Sequence, residues 1–543
     1  MRGRHLTLAM IIAALFFQAS QAESLSPEAG LTQRTSTRNA AVGEIKLRKL
    51  NVFDLSNEEE NNWLYRLANR LHIVTKDHVI RGQLLFEPGE KYDKRLIEET
   101  ERILRQNRYL YSASIETTLQ EDGTVDVLVT TQDVWTLGPD LSLSRNGGEN
   151  QSRFGIEEQN LFGLGQTIRF THEENVDRRS NSFEFGDRQL GQSWVSAYLQ
   201  ISDNSDGETN QLAIIRPFYA LDARWSAGAR ALNDDGRDAL YMLGDESAEY
   251  HRDQELYTAF VGWSKGLRNG RARRWIAGVV YDDNQFSAVP VPTLPSAIPT
   301  DRKLVYPYLS FELLQDEYEI TSNRDQIGRQ EDFLLGARIT ASIGWATESF
   351  GADRDALLYS ATASRGYGSI DSKTLLLSAN ASGRLESGRS ANVLATMRAR
   401  YYVTQSSKRL FFVGLQGTAG LALDLDNPVQ LGGDSGLRGY PLRYQNGDSK
   451  LLVTVEQRYF TDWYPFRLVR VGGAIFADVG RVWGRNPLGG EPLGWLKDVG
   501  FGLRLAPTRS SSSKMVHLDI AFPLDGDSTI DSVQISLEAK RSF

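Results

Sequence analysis

Leu431-Gly-Gly-Asp-Ser-Gly-Leu-Arg-Gly-Tyr440, followed by Leu451-Leu-Val-Thr-Val-Glu-Gln-Arg-Tyr-Phe460 and Gly473-Ala-Ile-Phe-Ala-Asp-Val-Gly480, is the part of the sequence on which the fold turns. Gly436, Leu437, Arg438, Gly439 and Tyr440 form a turn-prone loop that can fold back tightly and aim one guanidinium. The two runs after it alternate as strands do. Leu451, Val453 and Val455 share one face of the first, with Thr454, Glu456 and Arg458 on the other. Ile475, Ala477 and Val479 oppose Phe476, Asp478 and Gly480 in the second. Glu456 and Asp478 therefore lie on polar faces of strands adjacent in sequence. An arginine fork pairs bidentately with carboxylates. Arg438 is accordingly read either as a clamp on these acids or as a loop arginine beside two ordinary polar-face residues.

Downstream, alternating runs at Val499–Leu505, Val516–Phe522 and Val533–Phe543 bring the strands after the loop to five. The last sets Val533, Ile535, Leu537 and Ala539 against Gln534, Ser536, Glu538 and Lys540, and ends on Phe543. Upstream to Trp135, short alternating runs recur between Gly, Asn, Asp and Ser clusters, with no evident helix and no fixed repeat. They include Arg153–Asn160, Gln166–Phe170, Trp225–Leu232, Leu256–Trp263, Phe333–Ile343 and Val393–Tyr402. Val289-Pro-Val-Pro-Thr-Leu-Pro295 cannot be a central strand and reads as a long outward loop. The raw count of strands is nearer 20. Aromatic pairs at Tyr401-Tyr402, Phe411-Phe412 and Trp463-Tyr464 suit membrane-interface girdles or a β-sandwich core.

Residues 45–136 have another texture, a compact α/β unit of strand, helix, helix, strand, strand. Ser56-Asn-Glu-Glu59 reads as a capping box before a helix with Trp63, Leu64, Leu67 and Leu71 on its apolar face. Asp93 reads as the N-cap of a second helix carrying Leu96, Ile97, Ile103 and Leu104. Asp122-Gly123 joins two strands in a tight hairpin. Residues 23–44 are polar, small and aperiodic, a flexible leader. Residues 1–22 form a secretory signal, with Arg2 and Arg4, an apolar run from Leu6 to Phe17, and small residues at Ser20-Gln-Ala22.

The chain has 543 residues, a net charge of −8 and no cysteine. The charge balance argues against a nucleic-acid partner, and the cysteine count excludes disulfides and thiolate metal sites. A mean hydropathy of −0.38 is compatible with a transmembrane barrel, whose strands average apolar and polar residues. Six histidines show no metal spacing, and no phosphate-cradling glycine loop opens a helix, so no cofactor is expected. Gly433-Asp-Ser-Gly436 resembles a protease nucleophile turn only by chance, and no catalytic residue is expected.

The Leu-Arg-Gly-Tyr loop, the Glu456 strand, Phe476-Ala-Asp-Val-Gly480, Asn160-Leu-Phe-Gly-Leu-Gly165 and terminal Phe543 resemble the bacterial surface-antigen superfamily of outer-membrane barrels. Its members include the BamA and TamA assembly proteins and the two-partner secretion transporters. The resemblance implies one periplasmic POTRA-like domain at 45–136 and an antiparallel transmembrane β-barrel of about 16 strands at 137–543. It also implies Arg438 clamped by Glu456 and Asp478, and Phe543 as a C-terminal sorting signal. Expected partners are outer-membrane lipid and an unfolded β-barrel or secreted client, met by a POTRA sheet edge and the barrel seam. The implied function is insertion into, or translocation across, the outer membrane, without a chemical reaction. A dedicated secretion pore for one partner is the alternative; such transporters carry two POTRA domains and a plug helix, whereas one domain and no plug are expected here.

Overall fold

The computed structural model describes residues 40–289, 298–486, 488–489, 493–511, 514–526 and 530–540. The expected signal, most of the leader, the proline-rich residues 290–297 and Phe543 lie outside them. The first strand, Val42–Leu50, starts within the stretch read as leader. It runs parallel to Val125–Asp133, which is antiparallel to Leu110–Leu119, so Val42–Leu50 and Leu110–Leu119 are the two sheet edges. Helix Lys94–Arg105 is capped by Asp93, whose carboxylate accepts from Arg95 N at 2.9 Å. Its Ile97 and Leu104 join Val79, Ile80, Phe86, Val127 and Val129 in the core.

The first helix departs from expectation. Ser56 donates to Asp54 instead of capping, and Asn62 caps Trp63–Leu71 by accepting from Tyr65 N at 3.0 Å. Asn62 directly precedes the apolar run, so its amide oxygen meets the orphan N–H groups there. Tyr65, stacked on Phe53 at 4.1 Å, and Ala68 face inward. Trp63, Leu64, Leu67 and Leu71, the apolar face read from the sequence, are exposed. Periodicity locates an apolar stripe without saying what covers it. A short helix, Asp77–Arg81, was not legible in the sequence.

From Leu137 onward the chain closes an antiparallel barrel. Its first strand breaks at Asp140-Leu141 into Leu137–Pro139 and Ser142–Asn146, both paired to Glu149–Glu158. Counting that pair as one, the described residues form 20 strands. This is the number suggested by the alternating runs and corrects the 16 implied by resemblance. The run Phe333–Ile343 resolves into two elements, Gln330–Leu334 off the wall and Arg338–Ala346 within it. Residues such as Val261, Trp263, Val279, Leu309 and Ile343 are exposed on the outside, an apolar surface that a membrane covers. No described helix is long and apolar enough to cross a membrane.

The α/β unit grips one end of the barrel. Asn160 donates to Thr75 Oγ1, Gln189 to Gly82 O, and Arg509 to Val52 O. Loop 422–448 hangs from the other end. The aromatic pairs split across the wall. Tyr402 and Phe412 point into the lumen, against the expected girdle, because a strand sends successive side chains to opposite faces.

Candidate functional site

The loop between Arg409–Leu421 and Ser449–Phe460 folds into the lumen, braced by a small ladder between Val429–Leu431 and Gln445–Gly447. Its tip turns at Gly436, whose φ of +118° favours glycine and where a Cβ would fall 2.3 Å from Leu452. Leu437 is fully buried among Leu431, Tyr440, Tyr444, Leu452, Val482 and Leu496. Tyr440 donates from Oη to Asp525 O at 3.0 Å and accepts from Lys497 N at 3.1 Å. Gly439 N donates to Asp498 at 3.0 Å, and a Cβ there would crowd the same side chain at 2.7 Å.

Between them, Arg438 reaches the wall. Nε and Nη2 grip Asp478 at 2.8 and 3.1 Å, and Nη1 donates to Glu456 Oε1 at 2.9 Å. The guanidinium lies 3.4 Å from the ring centre of Phe476. The three residues selected in the sequence are thus in contact and buried. Loss of hydration on all three is offset by bidentate geometry and by the ring face.

Sequence reasoning did not pick out the residues that extend this group. Asp519 lies 3.9 Å from Arg438 and accepts from Arg504 at 2.5 Å. Arg458 donates to the other oxygen of Glu456 at 2.8 Å. Its Nη1 also donates to Arg324 O at 2.9 Å. Arg324 belongs to a turn at the end of the barrel that bears the α/β unit, residues 316–337, which folds into the lumen as the hairpin Tyr318–Ser322 and Gln330–Leu334. Ile327 at its tip packs with Tyr402, Leu410, Phe412 and Phe460. No plug helix lies in the lumen among the described residues, yet a hairpin fills it from below. The only sequence signal for this was the off-wall part of an alternating run.

The outer loop and the hairpin therefore meet on one strand, at Glu456 and Arg458. The hairpin is also tied to the α/β unit. Arg105 binds Asp332 through Nε and Nη2 at 2.9 and 2.7 Å, and Arg329 donates to Leu110 O at 3.0 Å.

The closing wall is the other notable region. Among the described residues the first and last strands share one register pair, Arg145 with Leu537. Beside it Asn146 Nδ2 donates to Glu538 Oε1 at 2.6 Å. The outer loop leans on the same place, since a Cβ on Gly147 would fall 2.3 Å from Leu442 N.

A family model for POTRA, surface antigen variable number repeat, matches residues 72–132. The chain carries a POTRA domain ahead of a closed antiparallel β-barrel. The POTRA-barrel is similar in fold to BamA from Haemophilus ducreyi lacking POTRA domains 1-3, at 12% identity over 91% of this chain and 84% of that one, TM-score 0.39. It is similar to CdiB from Acinetobacter baumannii at 12% identity, covering 98% and 96%, TM-score 0.44. It is also similar to CdiB from Escherichia coli at 12% identity, covering 92% and 76%, TM-score 0.46. No curated protein matches the POTRA-barrel.

Proposed function

We propose that this POTRA-barrel inserts client polypeptides into the outer membrane through its closing wall. The single register pair that the described residues show between first and last strands carries this reading. Strands that share so short a stretch of ladder among the described residues can part at low cost, and a parted edge offers unpaired N–H and C=O groups to an incoming strand. The edge strands Val42–Leu50 and Leu110–Leu119 supply a first point of capture in the periplasm. The buried group at Arg438 holds the outer loop against the wall. A second reading, secretion of one partner through the lumen, is supported by the way both lumen fillers hang from single loops that can withdraw.

A reversible lock separates the two. The chain has no cysteine, and Arg145 and Leu537 are direct register partners, a separation a disulfide spans. Oxidised Arg145→Cys/Leu537→Cys protein should fail to sustain barrel-protein assembly in a depletion strain and recover on reduction. Normal assembly with the lock formed would contradict insertion through the wall. Normal secretion of a partner with the lock formed would favour the pore.

A further inference from the structure

We infer that helix Trp63–Leu71 of the POTRA domain is a membrane-docking element, lying on the periplasmic leaflet of the outer membrane beneath the closing wall. The inference rests on the barrel fold and is independent of what the closing wall does. Trp63, Leu67 and Leu71 recur every fourth residue, with Leu64 beside them, so they form one stripe. All four are exposed, Trp63 at 70% and Leu71 at 64%, and Ile73 continues the stripe. The opposite face is occupied, with Tyr65 stacked on Phe53. The stripe is not a core face that happens to be loose.

The helix and the extended segment that follows it, to Lys76, are fastened to periplasmic turns of the barrel. At one end, Tyr65 Oη donates to Phe466 O, and Glu59 pairs with Arg467. At the other, Lys76 N donates to Gly163 O at 2.9 Å, and Asn160 donates to Thr75 Oγ1 at 2.9 Å. Turn tips of a transmembrane barrel mark the level of the membrane surface. A helix strung between two of them lies along that surface. The tips are themselves apolar and exposed, Phe466 at 81% and Phe162 at 62%, as is neighbouring Trp463. Exposed apolar side chains thus lie both on the helix and on the two turns that hold this segment. Between the two turns, around the wall, run the last strands and the first, so the segment from Tyr65 to Lys76, which includes most of the helix, reaches across beneath the closing wall.

The charges fit a lipid surface. Arg66 and Arg70 are exposed on the side of the helix next to the stripe. Basic residues flanking an apolar arc with a tryptophan are the pattern of a helix seated among anionic headgroups, its apolar face about 5–10 Å into the boundary.

The absence of cysteine makes the test clean. Full-length protein carrying Leu67→Cys, or separately Leu71→Cys, is labelled with an environment-sensitive fluorophore and reconstituted in phosphatidylethanolamine–phosphatidylglycerol vesicles. Glu121→Cys, on the exposed POTRA hairpin, is the control. Both helix labels should lose most of their quenching by aqueous iodide and be quenched by lipids with a nitroxide near the headgroup, while the control shows the reverse. Iodide quenching equal to the control at both sites overturns the inference. So does shielding from iodide without quenching by nitroxide lipid, which would mean that protein covers the stripe. Replacing phosphatidylglycerol by phosphatidylcholine should weaken the lipid quenching, and equal quenching in both would overturn the headgroup assignment.

Discussion

The two walls of this barrel are built differently. On one side, all 18 residues of Trp225–Met242 pair with Asp245–Arg268, which pairs in turn with Arg271–Ala288. On the other, the last strand, Gln534–Lys540, meets a first strand that is broken in the middle, at one register pair among the described residues. A strand ladder gains stability with each added pair, so the long wall is held by its own backbone. The closing wall depends on side chains and on the contents of the lumen. Asn146 bonds Glu538 across it, and the outer loop presses on Gly147 while Arg438 anchors that loop on Glu456 and Asp478. The difference teaches that one wall is fixed by topology, while the other can be set by a few removable contacts.

The largest effect should come from removing the anchor. Arg438→Ala leaves two buried carboxylates without their partner, and breaking a buried pair costs about 3–5 kcal/mol. The loop should become protease-sensitive and the closing wall should open more often, with the long wall unchanged. Arg438→Lys should restore only part of this, because an ammonium cannot reproduce the fork. A double-mutant cycle of Arg438→Ala with Asp478→Asn, scored by loop proteolysis, should be non-additive. Additive effects would show that the pair does not couple.

A smaller effect is expected at the wall itself. Asn146→Ala removes a hydrogen bond to a carboxylate, at about 2 kcal/mol. Cross-linking across the strands by a probe at Leu537→Cys should slow, without any change in loop proteolysis. A change in both would mean that wall and loop are one unit.

Removing the tie between POTRA domain and hairpin should cost less again. Arg105→Ala loses two bonds to Asp332, which keeps some solvent contact, so about 1.5 kcal/mol is expected. Nitroxide distances from the POTRA domain to the barrel should broaden. An unchanged distance distribution would place the coupling elsewhere, as in the contact of Arg329 with Leu110.

The smallest effect is one of pH. Glu99 is buried against the turn at Leu221, and burial raises its pKa above the usual 4.5, with Leu221 N–H and Arg95 opposing. A raised pKa in the docked state means that its contribution is fully present below the usual value and lost as pH rises through the raised one. POTRA docking should therefore be tighter at about pH 4 than at about pH 8, by protection of the helix Lys94–Arg105 from exchange. Glu99→Gln should remove that dependence, and an equal dependence in the variant would assign it to another group.

Much of this was legible in the sequence because a strand has a period of two. Alternation placed Glu456 and Asp478 inward, and glycine-rich flanks marked the loop that carries Arg438. Two strands, Leu137–Asn146 and Arg179–Asp187, were missed. The first is broken, and the second, Arg-Ser-Asn-Ser-Phe-Glu-Phe-Gly-Asp, starts on polar residues that look like loop. Asp519 and Arg458 were visible as inward residues, but only the closed barrel brings them to the same level as Arg438. The hairpin at 316–337 was hidden for a different reason. Alternation identifies a strand, not whether it lies in the wall or folds into the lumen. The same limit explains Trp63–Leu71, where periodicity located an apolar stripe but not what covers it.

Amide hydrogen exchange across the two walls tests the account most directly. Amides of Ser142–Asn146 and Gln534–Lys540 should exchange at least about a hundredfold faster than those of Trp225–Met242, and faster still in Arg438→Ala. Equal protection of both walls, unchanged by Arg438→Ala, would contradict a closing wall set by the contents of the lumen.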